Sequence, residues 1–98
     1  MMQEFAPGQL VISKTGRDKG RYFTVLKTEG KFVYITDGDL RKVENPKKKN
    51  SLHLKHTNIF LQDIAEKIAY NTNLRNADLR RAIAMVIEVP RSEVGGGR

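Results

Sequence analysis

The chain of 98 residues has no cysteine, no tryptophan and only three prolines. Without cysteine, disulfides and thiolate metal sites are excluded, and nothing points to an oxidising compartment. No apolar run approaches the roughly 18 residues that a membrane-spanning helix needs. Nothing basic precedes Lys14, and Met1 to Ala6 carries Glu4, which is not the charge pattern of a signal peptide. The expectation is a soluble, cytoplasmic protein of one domain, or one small domain with an appendage, burying a modest core.

Catalytic signals are equally scarce. Ser51 lies two residues from His53, but no third group accompanies them and no paired carboxylates stand out. The stretch from Gly8 to Gly20 has neither the spacing nor the following helix of a nucleotide-binding phosphate loop. His53 and His56, three apart on an expected strand, point to opposite faces and cannot converge on one ion. No catalytic residue, cofactor or metal is expected.

What the chain does have is positive charge, +7 in all, and it is unevenly placed. Residues 1–58 hold 12 Lys and Arg against six Asp and Glu, whereas residues 59–98 hold six against five. A one-sided positive field attracts polyanions and supplies much of a non-specific affinity for nucleic acid. A membrane surface is a poorer fit, because no basic amphipathic helix or lipidation signal accompanies the charge.

Two-residue alternation dominates the first 57 or so residues. It predicts strands over Leu10–Ile12, Arg21–Thr28 and Lys31–Thr36, the last two joined by a Glu29-Gly30 turn. Asp37-Gly38 is a strong hairpin dipeptide, predicting a short fourth strand through Leu40 to Val43, and Leu52–His56 could be a fifth. Short strands at this spacing argue for a small five-stranded barrel over residues 1–58. Residues 59–89 then change period. Leu61, Ile64, Ala65 and Ile68 share one helix face, and Leu79, Ile83, Val86 and Ile87 share another. Asn76 is expected as N-cap of the second helix, with Asp78 in its first turn. Pro90 is expected to stop that helix and leave residues 90–98 as a flexible tail.

Two basic segments stand out as candidate RNA-binding sites. Gly16-Arg17-Asp18-Lys19-Gly20 is a tight turn after the first strand, with Lys14 before it and Arg21 after it. The second segment, Arg41 to Asn50, packs Arg41, Lys42, Lys47, Lys48 and Lys49 into nine positions, with Pro46 disfavouring a helix. It is expected to run extended along a phosphate backbone and to share a face with the first turn, with Lys55, His53 and His56 nearby. The seven aromatics, Phe5, Tyr22, Phe23, Phe32, Tyr34, Phe60 and Tyr70, mostly read as core, with Tyr22 and Tyr34 the best suited to stack on a base. That weak aromatic signal favours contact with the shape of folded RNA over single-strand recognition.

The run Gly8-Gln9-Leu10-Val11-Ile12-Ser13-Lys14-Thr15-Gly16-Arg17-Asp18-Lys19-Gly20, with the hairpin up to residue 36, resembles the KOW motif of small SH3-like β-barrels in ribosomal proteins and elongation factors. Asp37 to Asn50 looks like the Asp-Gly turn and Lys run of small bacterial KOW-domain RNA-binding proteins related to large-subunit ribosomal proteins of the archaeal and eukaryotic type. The likeness extends weakly into Thr72–Ile83; residues 59–71 fit less well. It implies a mainly β, SH3-like barrel with a C-terminal helical appendage that binds structured RNA, ribosomal RNA of the large subunit above all. Gly8, Gly16 and Gly20 would shape the backbone, Gly20 by letting strand and loop approach closely. The rival expectation is a KOW module of the transcription or translation machinery that docks a protein partner through residues 61–87. In a third, the helices merely cap the barrel.

Overall fold

A computed structural model describes residues 4–96 of the chain. Five strands and two helices follow in order: β1 (Gln9–Ser13), β2 (Tyr22–Glu29), β3 (Phe32–Thr36), β4 (Lys47–Asn50), β5 (Leu54–Phe60), α1 (Gln62–Ala69) and α2 (Asn76–Gly96). A single 3-10 turn, Ser51–His53, links β4 to β5. The strands form one antiparallel sheet in the order β4-β3-β2-β1-β5.

Alternation along the strands explains the first core. Val11, Phe23, Val25, Val33, Ile35 and Leu54 come from β1, β2, β3 and β5 and point to one face, where all are essentially inaccessible. The second core lies between sheet and helices. Leu10 of β1 meets Leu61, Ile64, Leu79 and Ile83, so the apolar stripes of both helices are buried against the sheet and each other. Fully burying an aliphatic or aromatic side chain contributes about 1.5–3 kcal/mol, so each half of the chain stabilises the other.

The close fit of helix to sheet depends on Gly8. Its φ is +90°, and a Cβ there would sit 2.5 Å from the Cβ of Ala65 on α1. Gly8 O also accepts from Leu61 N at 2.8 Å, tying the start of β1 to the entrance of α1.

Several expectations need correction. Leu40–Val43 is no strand: Asp37–Pro46 is an irregular loop, and the fourth strand is Lys47–Asn50, the Lys run itself. The Asp37 carboxylate accepts from Asp39 N and Arg41 N, both at 2.9 Å, and Thr36 Oγ1 donates to Arg41 O. Such side chain–backbone bonds compete with strand pairing and close the loop instead. β5 begins at Leu54 rather than Leu52 and extends to Phe60, past the expected boundary at 58.

Asn76 does not cap its own helix. Its Oδ1 accepts from Val43 N at 2.8 Å and its Nδ2 donates to Glu44, so it ties the 37–46 loop to α2. Asp78 takes over at the helix start, accepting from Arg75 N at 3.1 Å. Nor does Pro90 stop α2, which continues to Gly96 and is not short. A proline removes one helical bond and crowds the turn before it, which is a penalty, not a barrier. Residues 97 and 98 of the expected tail lie outside the described residues. Among the described residues, no helix is long and apolar enough to cross a membrane.

Candidate nucleic-acid interface

The turn after β1 is fixed by backbone bonds and one buried ion pair. Gly20 N donates to Ser13 O at 2.8 Å, Arg21 N to Asp18 O at 2.9 Å and Lys19 N to Gly16 O at 3.2 Å. Gly16 and Gly20 both have positive φ, +82° and +87°. A Cβ on Gly20 would meet nothing within 4 Å, so this glycine serves the turn's backbone conformation and not a close approach. The close approach expected there belongs to Gly8.

Asp18 organises the loop from inside. It is buried, and its carboxylate accepts from Ser13 Oγ at 2.7 Å, Lys47 Nζ at 3.0 Å and Lys49 Nζ at 3.1 Å. Burial pushes this carboxyl up, but the bonds from Ser13, Lys47 and Lys49 outweigh it and hold it well below the usual carboxylate range. Lys49 is only 7% exposed, and its ammonium donates to Ser13 Oγ, Thr15 O and Asp18 Oδ1. Three donors meet three acceptors, so a buried charge is satisfied in full.

The turn and the Lys run therefore touch through Lys47 and Lys49, but the 41–50 segment as a whole does not share one face with the turn as expected. Lys49 and, in part, Lys47 face inward to hold the turn, whereas Lys14, Arg17 and Lys19 stand exposed on it. The alternation of β4 sends Lys48 to the other face, where its Nζ lies 4.6 Å from the Phe32 ring centroid. Lys49 is a support of the loop rather than a free phosphate ligand. Lys14 stays near His53 through a 2.8 Å bond from its N–H to His53 O, and His53 itself is exposed.

The remaining candidates scatter. Arg21 is exposed and lies 3.8 Å from the buried Asp37. Lys42 is exposed and Arg41 half-buried on the 37–46 loop, and Lys55 is exposed on β5 opposite Ile12. His56 is half-buried and packed within the protein. It stacks on Phe5 at 4.0 Å between centroids, its Nδ1 accepts from Gln9 Nε2 at 2.9 Å, and its Nε2 is buried without a partner.

Three further residues beside these patches are hard to read from the sequence: Asp18, which organises the turn, and Lys27 and Lys31, which lie against aromatic rings. Asp18 is the one acid of its turn, which is a visible signal. Lys27 is hidden by a bulge: the register shifts between Val25 and Lys27, so Lys27 and not Leu26 sits opposite Tyr34. Its Nζ lies 4.7 Å from the Tyr34 ring centroid, and Lys31 Nζ lies 5.7 Å from that of Phe32. In comparisons with known proteins, no family model matches the chain and no curated protein is significantly similar to it.

Proposed function

We propose that the protein binds structured RNA, with large-subunit ribosomal RNA as the first candidate, and that it is a cytoplasmic binding protein and not an enzyme. On this reading the five-stranded sheet is an SH3-like barrel of the KOW type, and the turn after β1 is its grip. The observation that carries the proposal is a pre-shaped cationic turn: Lys14, Arg17 and Lys19 exposed on a loop whose form is set by the buried Asp18–Lys49 pair. Fixing the loop before binding lowers the ordering cost of contact, and cations held at set spacing suit the phosphates of folded RNA better than those of a flexible tail. The Asp18 charge is neutralised from within by Lys47 and Lys49, so it does not cancel the exposed cations.

Protein docking through residues 61–87 is less well supported, because Leu61, Ile64, Leu79 and Ile83 are already buried against the sheet. The test is sedimentation of the protein in lysate of its host through sucrose gradients at low and high salt, beside an Arg17→Glu, Lys19→Glu variant. Co-migration with large subunits is expected, weakened by salt and lost in the variant. A wild-type protein found only at the top of the gradient at low salt would reject the ribosomal reading.

A further inference from the structure

The outward face of β3 offers a second kind of contact. Phe32 and Tyr34 occupy alternate positions on that strand, half-exposed, while Val33 and Ile35 between and beside them are buried. Alternate residues lie roughly 7 Å apart along a strand, a reach that one extended nucleotide step covers. Three lysines surround the rings: Lys27 over Tyr34, and Lys31 and Lys48 over Phe32. The Tyr34 hydroxyl donates to Glu29 Oε1 at 2.9 Å, which orients the ring. Beside Tyr34 and Lys27 a recess of about 220 Å³ opens toward the helices, walled by Leu26, Pro46 and Leu74.

We infer that this face is a stacking platform for unpaired bases, so that the RNA partner carries a single-stranded segment next to the folded part gripped by the turn. The inference rests on the RNA reading above but concerns a different surface and a different contact. Two rings on one strand, ringed by cations, match what single-stranded nucleic acid presents: flat π-faces joined by phosphates. In the free protein the ammonium groups lie over the ring faces. A base stacked on an aromatic ring is worth more than an exposed cation–π pair, so bases displace the lysines, which then turn to the flanking phosphates. The recess beside Tyr34 would receive the edge of a base that runs past the ring.

Three RNA probes test this with the full chain: a blunt hairpin, the same hairpin with a single-stranded oligouridine extension, and the single strand alone. The extension and the free strand carry a fluorescent adenine analogue that reports stacking. The extension is expected to tighten binding about tenfold and to quench the analogue. Phe32→Leu with Tyr34→Leu should abolish that gain while leaving blunt-hairpin affinity unchanged. Should the leucine variant fail to fold, Lys27→Gln with Lys48→Gln keeps both rings, and should retain quenching while losing affinity for the extension. An extension that adds no affinity and leaves the analogue bright would overturn the platform, even if the blunt hairpin still binds. Binding of the single strand with no binding of the blunt hairpin would instead overturn the duplex grip and keep the platform, and binding of neither would reject both.

Discussion

Asp18 shows how a single side chain decides what a charged loop can do. Replacing it with Asn leaves the Lys49 ammonium buried without a counter-charge, and breaking a buried pair from one side typically costs about 3–5 kcal/mol. Because its folded-state affinity for protons lies far below that of the unfolded chain, the pair stabilises the fold fully above about pH 4. That contribution fades as the pH falls below the unfolded carboxyl's value toward the folded one. Urea titrations followed by circular dichroism should therefore show an acid-induced loss in the native protein, of which Asp18→Asn lacks the part due to this carboxylate. Equal stability of the two proteins at pH 7 would refute the role given to the pair. A lone acid in a basic turn reads as a turn former, and its true partner, Lys49, sits 31 positions away on a strand whose register cannot be read from a run of identical residues.

At the level of elements, β1, β2 and β3 and the two helices are legible because apolar side chains recur at periods of two and of three to four. β4 is not. In Lys47-Lys48-Lys49 the alternation survives only as ammonium groups turned toward Asp18 or toward Phe32, a distinction of partners and not of residue type. The Asp37-Gly38 dipeptide misleads for the opposite reason: a hairpin signal is present, but the Asp37 carboxylate closes a loop on itself. Gly8 marks where strand and helix meet, and a side chain there faces both a positive φ and the Ala65 methyl. Gly8→Ala should cost about 2–4 kcal/mol, combining left-handed strain with overpacking. Gly20→Ala has open space around it, and should cost only about 1–2 kcal/mol. Denaturation midpoints of the two variants decide the matter, and equal losses would refute the packing role of Gly8.

For the molecule as a whole, +7 of net charge overstates the cationic charge free to meet the proposed RNA partner, because Lys47 and Lys49 are turned onto Asp18. Each phosphate contact adds about 0.7–0.9 to the slope of log affinity against log salt, so four to six contacts give a slope of about −3 to −5. Lys19→Gln should flatten the slope by one such step, whereas Lys49→Met should lower stability and leave the slope of the folded protein unchanged. A flattened slope in the Lys49 variant would return that lysine to the list of phosphate ligands. The ion pair between Asp18 and Lys49 also sets an order in time. During synthesis the turn after β1 leaves the ribosome long before Lys49 does, and β4 is the strand that supplies its anchor. About half the chain must emerge before this turn acquires its shape; if the turn grips RNA as proposed, a nascent protein is kept from closing on the RNA around it until its sheet is nearly built.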